Sequence, residues 1–243
     1  NGATTASGDR LAALWLAMSQ RIAGRTAHEV KNALNAVAVN LEVVRSRLAR
    51  AAAEPDATPQ PSPAAAARFA DVASTQLEAL SGLAEAMLTL ARAPREPADV
   101  QQLLAPLAVV FDAVARSDGG SLRLSGSDGG AAAPVAAPSL AVRLALAAAL
   151  DAAVGRGRAV TCAVDGTSTP PRVYLSWLGA VPATAVSADV VAAVGDCGVT
   201  IAPDDTTSAA GAITIDFDGA SAAAAAAPTG RPRGGGGPSN QDQ

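Results

Sequence analysis

Along the first part of the chain, apolar side chains recur at helical spacing. Leu11, Trp15, Met18 and Ile22 are 4, 3 and 4 residues apart, and Val30, Leu34, Val37, Leu41, Val44 and Leu48 continue at 4, 3, 4, 3 and 4. That period winds a heptad-like seam along one face of an α-helix. No Pro breaks the run and Gly24 alone interrupts it, so the pattern predicts one long helix over residues 10–52. The polar gap around Thr26 is the seam's weak point, and the small, polar residues 1–9 are expected to fray. Pro55, Pro59, Pro61 and Pro63 remove backbone donors and predict a connecting loop over 54–63. Phe69, Val72, Gln76, Leu80, Leu83, Met87 and Leu90 then predict a second helix over 64–93. Two amphipathic helices joined this way form an antiparallel hairpin. A lone hairpin cannot cover both apolar stripes; pairing two hairpins into a four-helix bundle does, and so predicts a homodimer.

Pro94 and Pro97 mark a boundary, after which the texture changes. Residues 99–116, 140–154 and 187–194 read as helices. Residues 121–125, 159–165, 172–178, 198–202 and 211–218 read as strands, the second and third forming a hairpin through 166–171. The expected architecture is α plus α+β: a hairpin domain over 1–93, then an α/β sandwich over 94–220 with a mixed sheet and helices on one face. Residues 221–243, an Ala run followed by Gly234 to Gly237 and a polar end, read as a disordered tail.

Composition narrows the function. Hydrophobic residues make up 49% of the 243 residues but aromatics only 2%, so the core is built from many small contacts. A net charge of −4 and no basic face argue against nucleic-acid binding. Cys162 and Cys197, far apart, make neither a disulfide framework nor, with a single His, a zinc set; they read as buried reduced thiols in a cytoplasmic protein. The most apolar stretch, 131–154, contains Pro134, Pro138, Arg143 and Asp151 and does not read as a membrane span. The chain lacks an initiating Met and is read as a fragment or processed form.

The informative segment is Ala27-His28-Glu29-Val30-Lys31-Asn32-Ala33-Leu34. On a helix Arg21, Arg25, His28, Asn32 and Asn35 fall on one stripe. Val30 lies about 200° around from His28, so the apolar seam faces away and His28 meets solvent. A neutral imidazole is a competent nucleophile near neutral pH. Glu29 is placed to accept the Nδ1 proton, leaving Nε2 to attack. Asn32, one turn on, is placed to hydrogen-bond a phosphoryl oxygen or a hydrolytic water. Lys31, Arg25 and Arg21 supply positive charge for a phosphate or an acidic partner. A lone helical His is usually a surface residue without a task. Glu at +1 and Asn at +4 accompany roughly one His in a few hundred by average residue usage. The heptad helix, the outward His, the Pro-rich turn and the second helix together point to phosphoryl chemistry.

His28 to Leu34 resembles the H-box of the histidine-kinase dimerisation and phosphotransfer domain, H-E-[I/V/L]-[K/R]-[N/T]-P-L, with Ala33 in place of the common Pro, which loses a helix kink and no chemical group. The resemblance covers residues 10–93. It implies that His28 is the phospho-acceptor, Glu29 its acid/base partner, and Asn32 a participant in autokinase and phosphatase steps. Residues 94–220 resemble the family's ATP-binding domain in layout alone. Leu150-Asp151-Ala152 looks like the end of the N-box helix, but the Mg²⁺-binding Asn falls at about Ala148. Where the D-x-G-x-G box is due the sequence reads Trp177-Leu178-Gly179-Ala180, no Gly-rich loop precedes the helix at Ser187, and 181–187 leave almost no room for a lid. A nucleotide site needs carboxylate, amide and glycine-backbone groups.

An H-box beside an eroded nucleotide site resembles the ChpT-type histidine phosphotransferases. The expected activity is phosphoryl exchange between His28 and the aspartate of response-regulator receiver domains. The chain is expected to bind no ATP, metal or other cofactor, with the Mg²⁺ held by the receiver, and to have no membrane or nucleic-acid partner. The alternatives are a sensor kinase with a divergent ATP site, a non-catalytic pseudokinase scaffold, and a phosphatase acting through Asn32.

Overall fold

The computed structural model describes residues 2–53, 63–125, 133–155, 159–166, 168, 170–178, 186–203 and 210–218. Of the loop predicted at 54–63, residues 54–62 lie outside them, as does the predicted tail at 221–243; Pro63, expected in the loop, is the first residue of the second helix. Helix α1 is Gly2–Ala53 and α2 is Pro63–Ala91. They run antiparallel: Arg47 stacks on Phe69, Asn40 donates to Gln76, and Thr26 meets Met87, so positions advance on one helix as they retreat on the other. The second helix stops two residues short of the expected end, because Ala93 precedes Pro94, and a residue before proline is pushed out of the helical region.

The seam splits in a way its spacing alone does not fix. Val37 is buried against α2, and Val30 and Val44 are half-buried. Leu34, Leu41 and Leu48, the alternate seam positions, stay 50%, 50% and 58% exposed. A single partner helix covers one side of a two-sided stripe. Thr26 does not interrupt the packing. It is 2% exposed, and its hydroxyl donates to the Ile22 carbonyl at 2.8 Å, which satisfies the buried polar group within its own helix.

Residues 2–9, expected to fray, are helical. Ser7, Gly8 and Leu11 line a cavity together with Pro138, Leu140 and Cys197; Leu11 is buried in the shared core and Arg10 pairs with Asp189 at 3.5 Å, so tertiary contacts hold this end of the helix.

The remainder is a sandwich. Strand β1 (Ala98–Asp99) pairs with β3 (Pro134–Val135), a two-stranded ribbon with no precedent in the sequence pattern. Helix α3 (Val100–Ser117) begins at Asp99, whose side chain accepts the Gln102 N–H. Gly119, at φ 74, turns the chain into β2 (Ser121–Ser125). Helix α4 (Ser139–Val154), strands β4 (Ala159–Asp165) and β5 (Arg172–Leu178), helix α5 (Ala188–Gly195), and strands β6 (Val199–Pro203) and β7 (Ala210–Phe217) follow. The sheet runs β2-β4-β5-β7-β6, with β2 parallel to β4 and the other pairs antiparallel. Strand side chains alternate: Val173, Leu175 and Trp177 are buried while Arg172, Ser176 and Leu178 are exposed. The buried face carries the helices.

Helix α4 is the centre of the molecule. All of its residues but Leu140 and Asp151 are buried, because the sheet lies on one side and α1 on the other. Leu11, Met18, Ile22, Leu83 and Leu90 of the hairpin share one hydrophobic core with the sandwich.

Candidate functional site

Helix α1 carries His28 near its midpoint. Ile22, Thr26 and Val37 are buried on the opposite side, so the helix is held by one face and shows the other. His28 is exposed, and it makes no hydrogen bond or ion pair among the described residues. Glu29 is half-buried. Its Oε1 accepts from Asn32 Nδ2 at 3.4 Å, a long contact that ties together the two side chains read as partners of the imidazole. Lys31 and Asn35 are exposed on the same stretch and point to solvent.

Arg21 and Arg25 are placed differently from the sequence expectation. Both reach Asp151 of α4: Arg21 Nη1 lies 3.1 Å from Oδ2, and Arg25 Nη1 lies 2.7 Å from Oδ1. Arg25 also extends Nη2 to Asp118 Oδ2 at 3.2 Å. The Asp151 side chain is only 14% exposed. These two arginines, expected to meet a phosphate or an acidic partner, have their charge taken up by carboxylates of the same chain. Helical spacing put them on the His28 stripe; only the fold could show that the sandwich docks onto its first two turns.

Asp151 and Asp118 are therefore residues that sequence reasoning missed. One signal was present. Arg143 and Asp151 are the sole charged residues of α4, and both contact the hairpin or its exit. Arg143 Nη1 donates to the Leu90 carbonyl at 3.2 Å and to the Arg92 carbonyl at 2.8 Å, the acceptors left free where α2 ends. Its guanidinium also lies over Trp15, 5.4 Å from the ring centre. Burial pulls the Arg143 pKa below its ordinary value. A charged residue in an otherwise Ala- and Leu-rich helix has to find a partner off that helix.

Elsewhere, Ala148, at the position where the resemblance would require an Mg²⁺-binding amide, is packed within α4. Gly179, Ala180 and residues 181–185, read as the eroded nucleotide boxes, lie outside the described residues. Among the described residues no group of three or more His, Cys, Asp or Glu is arranged to hold a metal ion. No described helix is long and apolar enough to cross a membrane. Cys162 is buried as expected, and desolvation pushes its thiol up to about 12. Cys197, also expected to be buried, is half-exposed, since it sits after α5 at the rim of the sandwich.

No protein-family model and no curated protein matches the sequence. Solved structures do. The histidine kinase AdeS of Acinetobacter baumannii aligns with 75% of this chain and 96% of its own, at 15% identity and a TM-score of 0.44. The cytoplasmic segment of the histidine kinase QseC aligns with 59% of this chain and 93% of its own, at 14% identity and a TM-score of 0.39. The chain is thus similar in structure to histidine kinases.

Proposed function

We propose that this chain is a histidine phosphotransfer protein of a two-component pathway, exchanging a phosphoryl group between His28 and the aspartate of a receiver domain. The observation that carries the reading is the setting of the chain's one histidine. It is exposed and, among the described residues, unpartnered, midway along a helix held from behind, within His-Glu-Val-Lys-Asn-Ala-Leu. In the forward step Nε2 of the neutral imidazole attacks the phosphorus of an aspartyl phosphate. The bond from phosphorus to the carboxylate oxygen breaks, and the carboxylate leaves with the electron pair. The Nδ1 proton is then held by Glu29 or passes to solvent. Asn32 is the candidate donor to a phosphoryl oxygen, and Lys31, which makes no ion pair among the described residues, is a cation that attracts an acidic receiver. Any Mg²⁺ the transfer needs is expected on the receiver.

Dimerisation belongs to the same reading. Leu34, Leu41 and Leu48 on α1, with Val72, Leu77 and Leu88 on α2, leave the hairpin apolar on sides that the other described residues do not cover. A second hairpin buries such a surface as a four-helix bundle. The sandwich would serve as the docking platform for the receiver.

The deciding experiment offers two donors to the purified protein, labelled ATP with Mg²⁺ and a labelled phospho-receiver, with His28→Ala as control. Acid-labile label from the receiver alone, absent in the variant, is expected. Label from ATP would make the chain a sensor kinase. No label from either would leave a non-catalytic scaffold.

A further inference from the structure

A cavity of about 230 Å³ lies at the joint between hairpin and sandwich, with Thr89, Arg92, Arg95, Asp99, Gln102 and Arg143 in its wall. Three arginines line it with a single acidic residue, Asp99, whose Oδ1 already accepts the Gln102 N–H at 3.1 Å. Arg143 is 4% exposed, and its Nε is buried with no hydrogen-bond partner. Carbonyl oxygens and the Trp15 face solvate its guanidinium. Among the described residues no carboxylate pairs with it. A buried cation without a counter-charge is costly, and the remedy is an anion in the space it lines. Arg92 and Arg95 are exposed on the same wall, so an ion has a route in from solvent. Glu96, the nearby acid of the linker, is turned away: its Oε1 accepts the Ser139 N–H at 2.8 Å, at the start of α4.

We propose that this cavity binds a phosphate-bearing small anion through Arg143, Arg92 and Arg95. Phosphate suits the arrangement better than a carboxylate because a tetrahedral dianion accepts from several directions at once, whereas one guanidinium fork satisfies a carboxylate. The wall draws on α2, the linker, α3 and α4, so a bound ion joins the hairpin to the sandwich. The proposal does not rest on the reading of His28.

The test is calorimetric titration of the full chain at constant ionic strength with inorganic phosphate, phenyl phosphate and acetate, repeated on the Arg92→Gln/Arg95→Gln double variant. Both substituted side chains are exposed, and the variant is expected to melt like the parent without ligand. Saturable binding of phosphate but not acetate is expected, weakened about tenfold or more in the variant. Equal binding of phenyl phosphate identifies organic phosphates as ligands, and its failure confines the site to the free ion. Absence of saturable phosphate binding, equal binding of acetate, or unchanged affinity in the variant overturns the proposal.

Discussion

Single side chains report their surroundings through their chemistry, and the two cysteines do so in opposite ways. Cys162 lies within the sheet, and its pKa is pushed up to about 12, so almost none of it is thiolate near neutral pH. Cys197 is half-exposed. Iodoacetamide at pH 8 is expected to label Cys197 in the folded protein and Cys162 only at the rate of unfolding, as peptide mapping over time would reveal; equal labelling in the native state would refute this. Linkage sets a direction with pH. The folded thiol holds its proton above the ordinary value of 9.0, so its stabilising contribution is complete below pH 9 and falls as pH rises from there toward 12. A Cys162→Ala variant should lose less stability across that window than the parent in urea titrations. The same scale separates what was legible at the candidate site from what was not. The exposure of His28 followed from helical spacing against Val30. The engagement of Arg21 and Arg25 did not, since their partner Asp151 lies about 130 residues away in sequence and no local pattern joins them.

At the scale of elements, amphipathic period accounts for most of what was read. Strands β4 and β5 fall at the expected residues, because alternation of apolar and polar side chains is a local property that a half-buried strand preserves. The ribbon of β1 and β3 was invisible, since two-residue strands carry no period and are defined by their pairing. The long helix poses the sharper question. Leu34, Leu41 and Leu48 repeat every seven residues and remain half-exposed in the single chain. Burying one leucine fully is worth about 1.5–3 kcal/mol, so a stripe of them on each of two hairpins can hold a dimer together. The parent is expected to elute as a dimer and Leu41→Glu as a monomer of unchanged helicity, by light scattering and circular dichroism. A monomeric parent would remove the four-helix bundle from the reading.

For the molecule as a whole, the decisive feature is that hairpin and sandwich share a core, with α4 between α1 and the sheet. Asp151 is the polar anchor of that docking. It is largely buried and receives two arginines, so removing its charge strands Arg25 beside Asp118 alone. Asp151→Asn should cost about 1–3 kcal/mol, lower than for a fully buried pair because Arg21 is well exposed. Denaturant midpoints would measure it. A cost near zero would mean that the apolar contacts of Leu11, Met18 and Ile22 fix the docking unaided.

The sequence by itself determined the two long helices, the order of the three helices and five main-sheet strands of the sandwich, and the outward face of His28, because each depends on periodicity within a few turns or strand residues. Tertiary structure alone decided that residues 2–9 join α1, that the seam divides into covered valines and uncovered leucines, and that the two charged residues of α4 grip the hairpin. Those outcomes depend on which surfaces meet, and residues distant along the chain carry no local signal of their contact.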